Sequence, residues 1–155
     1  MNSKTNFEYI EDELFFSNLL DSNNLLNSPF KVLFDFREPL IKRKEFNKNR
    51  NELYTLLINS FEERCGLNLD CCDNSSGFVV DHIIPLSSNI LNKTLRKIIP
   101  QKGRKTPSQS FGSNHIMNLT LSCNSCNNFK KHKFLDRNKM IEIMKVKQID
   151  TIKDV

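Results

Sequence analysis

Two short segments, residues 78–85 and 118–130, constrain the fold of this chain more than any other part. The first is an apolar run that ends in Asp81 and His82, because the proline at position 85 cannot continue a central strand. The second alternates apolar and polar residues, which is typical of a short strand, and then becomes polar and lysine-rich, which is typical of a solvent-edged helix. We therefore predict two strands and a helix that together make one small site.

These segments carry a longer pattern whose parts occur in a fixed order. It reads Asp81-His82-Ile83-Ile84-Pro85, then Gly112-Ser113-Asn114 leading to Asn118-Leu119, then Cys123-x-x-Cys126-Asn127-x-x-Lys130. This pattern resembles the HNH nucleases of the ββα-metal superfamily over residues 61–135. The resemblance implies an α+β fold, in which a ββα-metal (HNH) core with a zinc knuckle is flanked by N- and C-terminal helices. The stretch between His82 and Asn118 is much longer than the family leads us to expect.

The length of 155 residues suits a single domain, since no repeat or second compositional block argues for two. We expect a helical N-terminal extension over 1–60, the HNH nuclease core over 61–135 with a basic insertion at about 87–110, and a C-terminal helix over 136–155. The start of the chain is acidic where a secretory signal would be basic and apolar, and no stretch approaches a membrane span. We therefore expect a cytoplasmic protein without membrane contact.

The charge of the chain is unevenly distributed. Its net charge is +5, yet residues 1–28 carry five acidic side chains against one lysine, and residues 93–139 carry eleven Lys and Arg against one acid. This asymmetry predicts a basic face for a polyanion, and double-stranded DNA is the favoured partner. The candidate nucleic-acid-binding residues are Arg96, Lys97, Arg104, Lys105, Lys130 and Lys131. A solvated surface is the alternative for the charge, and a structural or disordered segment is the alternative for the insertion.

The five cysteines favour metal binding over disulfides, because their number is odd and two of them form a Cys-x-x-Cys in an apparently intracellular chain. Cys123 and Cys126 span one helical turn, so that both thiolates can reach one ion. Cys65 and Cys72 are the candidates to complete a closed, structural Zn²⁺ site, with Cys71 as the alternative to Cys72. Free buried cysteines remain the other interpretation of the set.

The resemblance implies a role for each polar residue of the pattern. His82 would be the general base, since an imidazole can take a proton near neutral pH. Asp81 and the side-chain carbonyl of Asn127 are oxygen ligands that suit catalytic Mg²⁺ or Mn²⁺. Asn118 would lie opposite His82 and orient its imidazole, although a strand-start asparagine is the alternative.

The leading hypothesis from the sequence is a metal-dependent HNH endonuclease that hydrolyses phosphodiester bonds of DNA. One alternative is a zinc-stabilised nucleic-acid-binding module without catalytic turnover. Another is a protein-interaction domain stabilised by zinc, which the basic residues of 93–139 disfavour. An intact set of Asp81, His82, Asn118 and Asn127 favours the enzyme, because a pure binding module needs no base beside a hard-metal site.

Overall fold

A computed structural model of the protein describes residues 5–74, 77–131 and 133–146, so that most of the N-terminal extension and the first part of the predicted 136–155 helix are included. The helices in these ranges are α1 (Ile10–Leu20), α2 (Pro39–Ser60), α3 (Ile90–Thr94), α4 (Asn124–Lys130) and α5 (Arg137–Val146). The strands are β1 (Val79–His82), β2 (Ser87–Ser88), β3 (Gln109–Ser110) and β4 (Leu119–Ser122). Within these ranges, no helix is both long and apolar enough to cross a membrane. Residues 147–155 of the predicted C-terminal helix lie outside the described residues.

The α+β class is confirmed, and β1, β4 and α4 follow one another in space as two strands and a helix. β1 pairs antiparallel with β4, with Asp81 opposite Thr120 and His82 opposite Leu119. The chain turns directly from β4 into α4, which packs against β1. The end of β1 therefore lies beside a helix, where its last two side chains can meet groups from another element.

The core that supports this unit is rich in phenylalanine. Phe16 of α1 is fully buried and contacts the rings of Phe34, Phe111 and Phe134 at centroid distances of 5.1–5.3 Å. α5 packs against α1 and buries its Met140 and Ile143 in the same cluster. A second cluster lies under the β1–β4 pair, and its buried members are Phe46, Leu57, Phe61, Leu119 and Leu121.

α2 is tied to the loops around the site by a lysine that is wholly buried. Pro39 stands in its first turn, where the missing N–H has no helical partner to lose. The ammonium group of Lys42 donates to the carbonyl oxygens of Asp35 (2.7 Å), Leu86 (2.8 Å) and Gly112 (2.7 Å). Burial lowers the pKa of Lys42 to about 8, while the three acceptors compensate its lost hydration. Lys42 is therefore a structural residue.

The long segment between β1 and β4 is folded, and Arg96 anchors it. β2 and β3 pair antiparallel, and α3 follows β2 directly. Arg96 lies 2.8 Å from Asp12 and 3.3 Å from Glu11, and its guanidinium stacks over the ring of Tyr9 at 3.9 Å. Asp12 is fully buried and requires a counterion, so Arg96 is committed to α1 and not to phosphate. This corrects the expectation for Arg96, whereas Lys97, Arg104 and Lys105 are exposed.

Candidate active site and cysteine cluster

Four cysteine side chains meet at the start of α4. The Sγ atoms of Cys65, Cys72, Cys123 and Cys126 all lie within 4.8 Å of one another. Cys123 and Cys126 are fully buried, and Cys65 is 8% exposed. The predicted grouping is confirmed, and it forms a cluster that could hold a structural metal ion such as zinc.

The backbone around the cluster is arranged to stabilise negative charge on sulfur. Main-chain N–H groups donate to three of the sulfurs at 3.3–3.5 Å. The N–H groups of Asn68 and Cys123 donate to Cys65, that of Leu69 donates to Cys126, and that of Cys126 donates to Cys123. Burial opposes ionisation of Cys123, but hydrogen bonds from the backbone of Cys126 and Asp73 and from neighbouring thiols bring the net pKa of its thiol below the ordinary value. Burial raises the pKa of Cys72 and of Cys126, so a bound cation is what would let all four sulfurs ionise together.

Cys71 does not belong to the cluster. Its side chain is exposed, and its Sγ lies 3.6 Å from the carbonyl oxygen of Ser125. The structure therefore selects Cys72 over its neighbour, a choice that spacing along the chain left open. Adjacent residues on an irregular loop face different directions, and no sequence signal distinguishes the two.

His82 ends β1, where it is 7% exposed and packs on the ring of Phe46 with centroids 4.7 Å apart. Its Nε2 lies 2.8 Å from Oδ1 of Asn114, and Nδ2 of Asn114 donates to the carbonyl oxygen of Lys42 at 2.8 Å. Because a carbonyl can only accept, the amide is fixed with its oxygen toward the imidazole, and Nε2 must carry the proton. The neutral ring therefore leaves Nδ1 unprotonated and able to accept a proton.

The surroundings of His82 hold the imidazole neutral. Its pKa is lowered to about 4, chiefly by burial and also by the positive charges of Arg43, Lys130 and Lys42, while the hydrogen bond to Asn114 opposes the shift. The form with a free Nδ1 therefore persists well below neutral pH. The sequence led us to expect a base that titrates near neutral pH, but burial makes this imidazole harder to protonate.

Asn118 does not orient the imidazole. Its Oδ1 accepts from the backbone N–H of Ile84 (2.9 Å), and its Nδ2 donates to the carbonyl oxygens of Ile84 (3.0 Å) and Ser113 (2.8 Å). Its side chain is fully buried between these two loops and fixes the backbone that follows His82. This corrects the expected role, which Asn114 fills instead. Asn114 belongs to the sequence pattern, but the pattern alone assigns no role to its side chain.

Lys130, which the sequence predicts to bind nucleic acid, is instead buried. Its Nζ donates to the carbonyl oxygen of His82 at 2.8 Å and lies 3.2 Å from Oδ2 of Asp81. Its side chain is 1% exposed, so it is not available to phosphate. Burial raises the pKa of Asp81, and the charge of Lys130 opposes that shift. Lys130 thus holds the end of β1 against α4 and partly neutralises Asp81.

Two oxygen-bearing side chains, Asp81 of β1 and Asn127 of α4, are the predicted ligands of a hard cation. Oδ2 of Asp81 is buried and lies 3.2 Å from the ammonium group of Lys130, and Asn127 is half-buried. Carboxylate and amide oxygens are the ligands that hard divalent cations prefer. The donor types therefore fit the predicted Mg²⁺ or Mn²⁺ pair, although no described contact joins the two side chains.

A shallow pocket of about 330 Å³ opens over the end of β1. Its lining residues are Arg43, Val80, Asp81, His82, Pro85, Leu86, Ser87 and Lys131. Arg43 and Lys131 are exposed cations from different parts of the chain, and both reach the pocket that holds His82. Lys131 is one of the nucleic-acid-binding candidates from the sequence, whereas Arg43 is not among them. Lys97, Arg104 and Lys105 do not line this pocket.

Comparison of the chain with models of protein families, with curated proteins and with solved structures gives no significant match. Function must therefore be inferred from the residues themselves. The protein combines an α+β fold, a four-cysteine cluster that could hold a metal ion, and the neutral imidazole of His82 in a basic pocket.

Proposed function

We propose that this protein is a metal-dependent endonuclease of the HNH type that hydrolyses phosphodiester bonds of DNA. The observation that carries the proposal is the imidazole of His82, which Asn114 fixes with Nδ1 unprotonated in a pocket lined by Arg43 and Lys131. Phosphodiester hydrolysis requires a base for the attacking water and positive charge near the phosphate oxygens. The sequence resemblance supports the same reaction.

In this proposal, Nδ1 of His82 takes the proton from a water molecule as that water attacks phosphorus. Oδ1 of Asn114 accepts from Nε2–H throughout, so it keeps the ring from rotating and stabilises the imidazolium that forms. Asn114 is itself held by the carbonyl of Lys42 on α2. The base therefore depends on a helix outside the ββα unit.

Asp81 and Asn127 would hold the catalytic Mg²⁺ or Mn²⁺. When bound, such a cation stabilises negative charge on the phosphate and leaving-group oxygens. Lys130 already lies 3.2 Å from Asp81, so the cation would have to share that carboxylate with an ammonium group. We infer that binding of the catalytic ion is weak compared with binding at the cysteine cluster.

The four cysteines would hold a structural Zn²⁺, since four thiolates leave no open coordination position. This ion would join the loop that carries Cys65 and Cys72 to the start of α4, and so fix α4 beside β1. Lys97, Arg104 and Lys105, which are exposed on the insertion, would add phosphate contacts that position the DNA without reading its sequence.

A zinc-stabilised nucleic-acid-binding module is the second candidate, and one observation favours it. The ion pair with Lys130 already neutralises part of the negative charge on Asp81. A catalytic cation would need that charge for its own binding. In such a module His82 would be a buried structural residue. The two candidates therefore differ in whether the imidazole of His82 performs chemistry.

The deciding experiment is incubation of the protein with supercoiled plasmid in the presence of Mg²⁺, of Mn²⁺ or of neither ion. We expect nicking that needs the added metal and that falls by a factor on the order of 10² or more in His82→Ala. The matched control is His115→Asn, which changes an exposed imidazole outside the pocket and retains a residue able to cap the following turn. It should cleave at the wild-type rate.

Wild-type protein that binds plasmid but never nicks it with either metal would favour the binding module. A folded His82→Ala variant with full activity would remove His82 as the base. Because His82 is buried against Phe46, each variant must first show a cooperative melting transition.

A further inference from the structure

The basic side chains around the site fall into two groups. Lys42 and Lys130 are buried, and their ammonium groups are bound to protein carbonyl or carboxylate oxygens. Arg43 and Lys131 are exposed, and within the described ranges their side chains make no hydrogen bond or ion pair with the protein. The protein thus leaves two cations at the pocket without an internal anion.

These two cations are brought together by the fold and not by the sequence. Arg43 lies in the first half of α2, next to the buried Lys42 that fixes this helix to the site loops. Lys131 directly follows α4, next to the buried Lys130 that fixes the helix to β1. In each pair, a buried lysine anchors the backbone and its neighbour faces the pocket.

The backbone of Lys131 gives a separate indication. It adopts φ 49° and ψ −122°, in the left-handed half of conformational space that glycine enters freely and other residues enter at a cost. A lysine here is therefore unfavourable for the fold. Strained positions of this kind cluster at ligand-binding sites, and of the eight non-glycine residues with positive φ in the described ranges only Lys131 lines the His82 pocket.

We propose that Arg43 and Lys131 form a phosphate-binding subsite that holds one phosphodiester of the nucleic acid against His82. The pocket around them is net positive, because Lys130 offsets the one acid, Asp81, in its lining. Ser87 lines the same pocket and adds a hydroxyl donor. That this phosphodiester is the one cleaved rests on the proposed nuclease function, whereas binding of the anion does not.

Sulfate is a suitable probe, because it has the tetrahedral oxygens and charge of a phosphate and its charge is constant over the working pH. The full chain with its cysteine-bound metal, and without magnesium or manganese, would be titrated with sodium sulfate against sodium chloride at constant ionic strength. NMR signals of the His82 ring and the Lys131 amide report the pocket. We expect a saturable response in the wild type.

Arg43→Gln and Lys131→Gly should each weaken sulfate binding by a factor on the order of ten, the loss expected for a charged hydrogen-bond donor. Lys44→Gln is the matched control, since it removes an exposed charge from the same helix outside the pocket lining. It should bind sulfate as the wild type does. A wild type without a saturable response, or variants that bind sulfate equally well, would overturn the subsite.

Lys131→Gly also separates ligand binding from folding. Glycine relieves the left-handed backbone, so the melting temperature should not fall while sulfate binding weakens. A parallel loss of stability and binding in this variant would indicate a structural role and contradict the proposal.

Plasmid cleavage distinguishes the subsite from the nuclease. If sulfate binds through both cations but the plasmid is never nicked, the subsite stands and the nuclease function fails. If the plasmid is nicked and the two variants change neither sulfate binding nor KM, the nuclease function stands and the subsite fails.

Discussion

The cysteine cluster and the His82 pocket lie on the same three elements, yet they are built in opposite ways. In the cluster, four sulfurs converge, three of them are buried, and backbone N–H groups donate to the sulfurs. In the pocket, Arg43 and Lys131 are exposed, and their side chains make no hydrogen bond or ion pair with the described part of the chain. A site whose donors are satisfied internally serves the fold, whereas a site with unsatisfied groups is suited to a ligand from outside.

The largest expected effect is on the cluster. If the cluster holds a structural Zn²⁺, removing that ion with a strong chelator under reducing conditions, or changing Cys123 to Ser, should cost stability on the order of 10 kcal/mol and abolish cooperative unfolding. Zinc content and thermal unfolding, followed together, test this. Cys71→Ser is the matched control, because that thiol is exposed and outside the cluster. Metal-free protein with unchanged melting would remove the structural role of the metal.

A comparison of two asparagines should separate fold from chemistry. Asn118→Ala removes three side-chain hydrogen bonds and leaves buried groups of Ile84 and Ser113 unpaired, at a cost of about 3 kcal/mol or more in unfolding free energy. Asn114→Ala should cost less stability, since Asn114 is only half-buried. Under the proposed function, Asn114→Ala should nevertheless lose more activity per folded molecule. Equal specific activities of the two folded variants would contradict the orienting role of Asn114.

The buried imidazole should also make stability depend on pH. The pKa of His82 in the folded protein is about 4, below its ordinary value of 6.5, so between these values the unfolded chain binds more protons. This contribution to stability is fully present above pH 6.5 and is lost as pH falls through 4, for a total on the order of 3 kcal/mol. Chemical unfolding from pH 7 to 4 measures it. A His82→Gln variant with the same pH dependence would assign the effect to other groups.

The smallest expected effect concerns the insertion. If it binds DNA, changing Arg104 and Lys105 together to Gln should reduce the slope of log affinity against log salt by about 2, since each phosphate contact contributes roughly 0.9. Arg96→Gln should leave this slope unchanged and lower stability instead, because its guanidinium is paired with Asp12. Fluorescence anisotropy with a short duplex, without added magnesium or manganese, gives both slopes. A lower slope in folded Arg96→Gln would show that this side chain also reaches DNA.

The sequence predicted the parts of the molecule that depend on local patterns. Strand alternation, the proline after β1 and the Cys-x-x-Cys spacing were enough to predict β1, β4, α4 and a four-cysteine grouping. The α+β class is what the resemblance to the HNH nucleases implies. These signals are local because strand and helix periodicity is a property of neighbouring residues.

The roles of individual charged and amide side chains could not be predicted in the same way. A basic residue in the sequence has the same formal charge whether it is buried against Asp81, as Lys130 is, or exposed, as Lys131 is. The partners of Arg96 and Asn114 come from α1 and α2, which are distant along the chain. Only the three-dimensional fold determines which of these groups is satisfied internally.

The position of the insertion between β1 and β4 has a consequence for synthesis. A ribosome adds about 5–20 residues per second, so β1 is complete for several seconds before β4 and α4 exist. During that time Cys65 and Cys72 are already made, while the other half of the cluster is not. Asp12 and Arg96 are also made before β4 and α4, so both members of this ion pair precede the strand pair in synthesis. Nascent chains truncated within the insertion would therefore lack half of the cysteine cluster and the strand that pairs with β1.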